Sequence, residues 1–143
     1  MRDADRCKSL LASDGGYTCA LVRGDKSYTS KAAGIAPLVR FIDDGLELSG
    51  FSAADRIVGK AAALLYAHMG VAYVYGEVMS APALEALGKH GIACEYSTLT
   101  DGIINRRGDG ACPMERAVEN IDEPTAAVRA VKATLEKLRS DKH

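Results

Sequence analysis

The amino-acid sequence predicts a single α/β domain, a three-layer α/β/α sandwich whose mixed sheet carries an N-terminal antiparallel hairpin. A helix over residues 4–12 comes first. Two strand-like segments, YTCALV and SYTS, then flank the turn RGDK, which is a β-hairpin pattern. Further along, VAYVYGEV lacks polar alternation, as is typical of a parallel strand covered on both faces. Helices alternate with strands from there on, which indicates one sheet between two helix layers.

Two further helices are predicted in the first half of the chain. A short one lies between Pro37 and Gly45, because proline is favoured at the first helical position and glycine just after the last. The longest is SGFSAADRIVGKAAALLYAHMG, with Ser52 and Asp55 at capping-box spacing and Gly70 as its end. Its middle, KAAALLYA, is apolar nearly all round, which predicts deep burial.

The second half continues the alternation of strands and helices. SAPALEALGKHG is predicted to be a helix that ends at Gly91, and IACEYS to be a strand. Residues 97–111 are expected to form a long loop, with a short strand at Ile103-Ile104. CPMERAVEN is then a short helix, and DEPTAAVRAVKATLEKLRS is the final one. All 143 residues are assigned to one domain, with a core at about 17–130.

Composition narrows the class of protein. The formal net charge of -1 provides no basic field to attract nucleic acid, so RNA binding is a weak third option despite Arg106-Arg107. No apolar run approaches the roughly 20 residues that span a bilayer. The N-terminal segment lacks the apolar core of a signal peptide, so a cytoplasmic location is predicted. The four cysteines form no CxxC pair and are expected to be free thiols.

Four motifs carry a resemblance to a known family: SKAAGIAPLVRF, DRIVGKAAALL, YGEVMSAPALEALGKHGI and INRRGDGACPMERAV. Together they resemble the prokaryotic family named domain of unknown function 1893, over a stretch from about Tyr17 to about Ala130. The resemblance implies a cytidine-deaminase-like architecture. Because the activity of that family is unknown, the resemblance implies a fold and the place of a site, but no reaction.

The resemblance also implies that the zinc site of true deaminases is missing. Zinc deaminases carry an H-x-E signature at one helix start and P-C-x-x-C at the next. Here the corresponding segments read Gly59-Lys60-Ala61 and Ser80-Ala81-Pro82. Neither offers a thiol, an imidazole or a general-acid glutamate. We therefore expect no metal and no cofactor.

Cys112 is the candidate catalytic residue. It precedes Pro113, so it is predicted to cap a helix whose dipole favours the thiolate. Serine, threonine, aspartate and asparagine cap better than cysteine, which suggests a reason other than capping. The alternative is that Cys112 is simply a small residue at a helix start. No histidine is placed by the sequence to act as its base.

Lys60 leads the candidate ligand-binding residues. It lies at a helix start next to Gly59, and a glycine there usually marks a close approach of the backbone. We expect the Lys60 ammonium to supply the positive charge that zinc supplies in deaminases, and so to hold an anionic ligand. The alternative is an ordinary solvated lysine. The apolar sequence around it favours a paired or snorkelling lysine.

Four more residues complete the predicted site. Glu77 and Ser80 follow the strand VAYVY, and ligands in α/β proteins bind at the carboxyl ends of strands. Ser80 at a helix start can also orient an anion, although an ordinary helix cap is the simpler interpretation. Asn105 lies in the long loop, and Ser30 follows the second strand.

The predicted function is binding of a small polar or anionic ligand, nucleotide-like by fold analogy alone, with Cys112 as a nucleophile. The alternative is a regulatory or binding domain without catalysis, and the missing zinc ligands favour it. The expected partner is this small molecule, with no membrane, and the chain could form a homodimer. The sequence does not decide whether the protein is an enzyme.

Overall fold

The computed structural model describes residues 2–104, 108, 110 and 112–140. Within these residues the chain forms six helices and five strands. In chain order they are α1 (Asp3–Ala12), β1 (Cys19–Arg23), β2 (Lys26–Ser30), α2 (Ala36–Asp43), β3 (Ser52–Val58), α3 (Lys60–Met69), β4 (Tyr73–Ser80), α4 (Ala81–Lys89), β5 (Ala93–Thr100), α5 (Pro113–Ala117) and α6 (Pro124–Ser140). No helix in this part of the chain is long and apolar enough to cross a membrane.

The five strands form one mixed sheet in the order β2-β1-β3-β4-β5. β1 pairs antiparallel with both β2 and β3, which places the hairpin at one edge. β3, β4 and β5 run parallel, and Val58 near the end of β3 pairs with Met79 near the end of β4. The helices that follow these two strands therefore begin side by side. The predicted mixed sheet with an N-terminal hairpin is confirmed.

Helices cover both faces of the sheet, but unequally. α1 packs against β1 and β3, where its buried Cys7 and Leu11 contact Val22 and Ala54. The neighbouring residue, Ala53, points the other way, into the main core around α3. Residues 61–66 of α3 are buried without exception, and α2, α4, α5 and α6 all pack against this helix. The predicted deep burial of KAAALLYA is confirmed, and so is the α/β/α layering.

The predicted long helix from Ser52 is wrong in its first half. Residues 52–58 form β3, a central strand, and Ser52 pairs with Val22 and Tyr73 on the neighbouring strands. Alanine-rich composition favours a helix, but Ala53 and Ala54 are fully buried between the helices on the two faces of the sheet, and tertiary packing overrides local propensity. The end of α3 is as predicted, because Gly70 adopts the left-handed conformation with φ 76°.

The predicted loop over residues 97–111 also begins too early. β5 runs on to Thr100, in register with Ser80 of β4. Of the short strand predicted at Ile103-Ile104, one bridge residue, Ile104, is formed. The amide of Cys112 donates to the Ile103 carbonyl over 3.0 Å, so Ile103 lies beside the start of α5.

Candidate functional site

Lys60 begins α3 directly beyond the carboxyl end of β3, at the edge of the sheet where ligands bind in α/β folds. Its side chain is only 15% exposed. The ammonium Nζ donates to the Glu119 carbonyl over 3.1 Å and lies 3.4 Å from Asp122 Oδ1. Lys60 is therefore the paired lysine that its apolar surroundings favour, not a freely solvated one.

Asp122 is the centre of a small charged cluster. Lys89 at the end of α4 lies 3.4 Å from Asp122 Oδ2, so the two lysines approach opposite oxygens of one carboxylate. Lys89, and then Lys60, lower the pKa of Asp122 below its ordinary value. The Asp122 carbonyl forms a further hydrogen bond of 3.0 Å with His90 Nε2. The segment between α5 and α6 is thus attached to the beginning of α3 and the end of α4.

A cavity of about 70 Å³ lies beside this cluster, between the beginning of α3 and one side of α4. Six residues line it: Lys60, Pro82, Glu85, Ala86, Lys89 and Asp122. Typical small-molecule sites measure about 300–1,000 Å³, so a whole nucleotide does not fit inside this one. A single charged group of a few atoms does.

Glu115 of α5 occupies the helix start itself. Its Oε1 accepts from the Lys60 amide over 2.7 Å, and its Oε2 accepts from the Ala61 amide over 2.9 Å. The carboxylate thus caps two orphan amides at the positive end of α3. A Cβ at Gly59 would overlap this carboxylate, whose Cδ lies 2.6 Å from the position of that Cβ. Gly59 is therefore closely approached, but by the Glu115 side chain and not by backbone as predicted.

Ser80 and Glu77 both belong to β4, but their side chains make unrelated contacts. Ser80 is fully buried, and its hydroxyl accepts from the Ala83 amide over 3.1 Å, which is the helix cap that was the simpler interpretation. Glu77 pairs with Arg56 on the α1 side of the sheet. The same guanidinium donates to the Leu11 carbonyl at the end of α1, so it is held away from the Lys60 cluster.

The remaining predicted site residues are not gathered around Lys60. Ser30 pairs with Cys19 in the hairpin, and its hydroxyl accepts from the Ala32 amide over 3.1 Å. Cys112 precedes α5, makes no capping hydrogen bond through its side chain, and packs half-buried against the main core. It does not line the cavity beside Lys60. Asn105 lies outside the described residues.

Two sets of contacts could not be predicted from the sequence, one at Lys60 and one at Asp55. Glu115 and Asp122 were not expected to meet Lys60, because they follow it by more than fifty positions and no periodic pattern connects them. Asp55 was interpreted as part of a helix cap. Its carboxyl group instead accepts from the Tyr66 hydroxyl over 2.7 Å, inside the protein, and burial raises the pKa of Asp55 to about 6.

The residues that the structure describes contain no group of three or more histidine, cysteine, aspartate or glutamate side chains placed to hold a metal ion. The beginnings of α3 and α4 carry instead Gly59-Lys60 and Ser80-Ala81. The charged side chains around Asp122 are Lys60 and Lys89.

Comparison with known proteins identifies the family. The family model TM1506: Domain of unknown function (DUF1893) matches residues 7–135. The crystal structure of a DUF1893 family protein (TM1506) from Thermotoga maritima, at 2.70 Å resolution, is similar, with a TM-score of 0.83 and 25% sequence identity. The match covers 93% of this chain and 90% of that chain. No curated protein matches. The family model spans most of the sequence, and the chain therefore belongs to the DUF1893 family, as its four motifs predicted.

Proposed function

We propose that this domain binds a small anionic ligand at Lys60 and Lys89, through a phosphate or carboxylate group, and that it does so without catalysing a reaction. One observation carries the proposal: the two ammonium groups lie 3.4 Å from opposite oxygens of a single carboxylate, beside a cavity. That is the arrangement in which two lysines would hold the anionic group of a ligand.

Asp122 occupies that position in the structure, and its side chain is 64% exposed. A carboxylate this exposed is held only weakly by its ion pairs, because water screens them. A ligand anion can therefore compete for the two lysines by displacing Asp122. The small cavity admits the charged group alone, so the rest of the ligand would extend towards solvent.

The resemblance to the cytidine-deaminase-like fold makes nucleoside monophosphates the first organic ligands to test, alongside inorganic phosphate and citrate. The sheet order β2-β1-β3-β4-β5, with helices beginning after β3 and β4, supports that choice. Covalent chemistry at Cys112 is not part of the proposal, because this thiol packs against the main core and does not line the cavity. It stays a separate prediction, for which alkylation is the test.

The proposal is tested by calorimetric titration with inorganic phosphate and adenosine monophosphate. Lys60→Met and Lys89→Met keep the aliphatic stem and remove the charge, and each should weaken binding by about 10- to 100-fold. Asp122→Asn should strengthen binding, because it removes the competing carboxylate. Lys132→Met, which breaks the ion pair with Asp43 elsewhere, is the matched control and should bind like the unmodified chain.

If neither phosphate nor adenosine monophosphate binds, the proposal is contradicted. Binding that survives both lysine substitutions would contradict it as well. Weaker binding by Asp122→Asn would also contradict it, because Asp122 would then hold the site together and would not compete for it. A signal that appears only at low ionic strength and is equal in Lys132→Met and Lys60→Met would mean nonspecific attraction.

A further inference from the structure

A second carboxylate, that of Glu85, lines the small cavity beside Lys60. Glu85 lies on the same face of α4 as Lys89, because side chains four positions apart on a helix are neighbours. Pro82 and Ala86 belong to that face too, and they form the apolar part of the cavity wall. The helix α4 therefore presents one negative and one positive side chain, next to each other, to the cavity.

The rest of the lining carries the same two signs of charge. It consists of Lys60 at the beginning of α3 and Asp122 between α5 and α6. Two ammonium groups and two carboxylates thus line the cavity, so their formal charges cancel. A simple anion that enters adds negative charge close to Glu85, which is unfavourable. A ligand that carries one negative and one positive group adds no net charge.

We propose that the ligand of this site is an α-amino acid. Its carboxylate takes the place of the Asp122 carboxylate between Lys60 and Lys89, and its ammonium group pairs with Glu85. This inference rests on the proposed anion site at the two lysines and names the class of molecule that fills it. The carboxylate and the ammonium of an α-amino acid are attached to the same carbon, so together they are only a few atoms and suit a cavity of about 70 Å³.

Glu85 decides which ligand this site prefers. Its side chain is exposed, so each of its interactions is partly screened by water and changes affinity only moderately. It nevertheless acts on two kinds of ligand in opposite directions, because it attracts an ammonium group and repels a phosphate. A residue that only maintained the shape of the cavity would affect both ligands in the same direction.

Calorimetric titration of the full chain with L-alanine, propionate and inorganic phosphate tests the proposal. Propionate has the carbon skeleton of alanine without the ammonium group, and we expect alanine to bind about three- to tenfold more tightly. Lys60→Met and Lys89→Met should weaken the binding of all three compounds, because each of them uses the same pair of lysines.

Glu85→Gln is the variant that tests the ammonium subsite, since it keeps the shape of the side chain and removes its charge. It should weaken alanine binding about three- to tenfold and strengthen phosphate binding about two- to fivefold. Glu136→Gln, at an exposed position of α6, is the matched control and should change neither affinity.

The outcomes separate this inference from the proposed function. If phosphate and propionate bind through both lysines but alanine binds no more tightly than propionate, the anion site stands and the amino-acid inference is overturned. It is also overturned if Glu85→Gln leaves the preference for alanine over propionate unchanged, or weakens alanine and phosphate equally. If none of the three compounds binds, the proposed function and this inference fail together.

Discussion

At the scale of single residues, Glu115 joins two helices that are far apart in the sequence. It lies in α5, yet its carboxylate caps the first two amides of α3. Gly59 makes room for that carboxylate. Its φ of -94° is accessible to any residue, so it is the space that requires glycine and not the backbone conformation. The two residues therefore form one structural unit.

We expect Gly59→Ala to lower the free energy of unfolding by about 1–2 kcal/mol, because the new methyl group displaces the Glu115 cap. In a Glu115→Ala background the same substitution should be nearly neutral, which gives an interaction energy of about 1 kcal/mol in a double-mutant cycle. Urea denaturation of the four chains measures it.

The matched control for this cycle is Gly88→Ala in α4, where a Cβ would meet nothing within 4 Å. Alanine has the higher helix propensity, so this variant should be neutral or more stable by up to about 1 kcal/mol. If Gly59→Ala were equally harmless, or if its cost were the same with and without Glu115, the two residues would not be coupled.

Asp55 makes a second prediction, which concerns pH. Burial raises its pKa in the folded protein from 3.8 to about 6, so the folded state binds this proton more tightly than the unfolded state. The resulting stabilisation is fully present below the unfolded pKa and is lost as the pH rises through about 6. Ionisation at neutral pH therefore costs about 3 kcal/mol.

Asp55→Asn removes this titration and keeps an oxygen that can accept from Tyr66. Relative to the unmodified chain, its free energy of unfolding should improve by up to about 3 kcal/mol between about pH 4 and about pH 7. Denaturation at several pH values measures the difference. Asp25→Asn, in the exposed turn of the hairpin, is the control for the chemical change. A parallel pair of curves for Asp55→Asn and the unmodified chain would show that Asp55 is not the group responsible.

At the scale of elements, the predictable parts were those with local signals. The hairpin, the covered strand β4 and the caps of α4 follow from turn residues and hydrophobic patterning. β3 was not predicted, because alanines such as Ala53 and Ala54 favour a helix. In the structure both are fully buried in a strand, beneath the helices packed on the two faces of the sheet. That reason lies in the tertiary structure and cannot be read from a local window.

The candidate site also has a part that local sequence predicts and a part that only the tertiary structure shows. The position of Lys60 at a helix start and the close approach at Gly59 were predictable from residue type and local order. The partners of Lys60 were not, because Glu119 and Asp122 come from a segment that returns to α3 only through the packing of α5 and α6. Glu77 was placed wrongly beside them, since strand position alone does not say which face a side chain occupies.

Ser80 makes a third prediction, at the beginning of α4. Because its hydroxyl caps the Ala83 amide, Ser80→Ala should lower the free energy of unfolding by about 1 kcal/mol and leave phosphate affinity unchanged. Thermal denaturation and phosphate titration measure the two quantities. Ser13→Ala, at the exposed end of α1, is the control. Lost phosphate affinity at unchanged stability would instead make Ser80 a ligand-binding residue.

At the scale of the whole molecule, the two faces of the sheet are not equally secured. The main core includes residues from α2 through α6, whereas the α1 face is closed by one ten-residue helix over a small cluster. Besides its buried side chains, α1 is held by polar contacts such as the one from Arg56 to the Leu11 carbonyl. Short helices are not stable alone, but detaching one exposes far less surface than global unfolding does.

This asymmetry leads to a fourth prediction, which concerns the alkylation rates of the two buried thiols, Cys7 and Cys19. Burial raises the pKa of Cys7 to about 11 and that of Cys19 to about 12, so neither reacts appreciably while its core is closed. Under native conditions, iodoacetamide should label Cys7 under α1 faster than Cys19, because α1 opens before the sheet does. Mass spectrometry of the labelled peptides gives both rates, together with that of the half-buried Cys112.

Arg56→Met should accelerate the labelling of Cys7 more than that of Cys19, whereas Lys132→Met should change neither rate. Equal rates for the two thiols in every variant would mean that both faces open only together, in one cooperative transition.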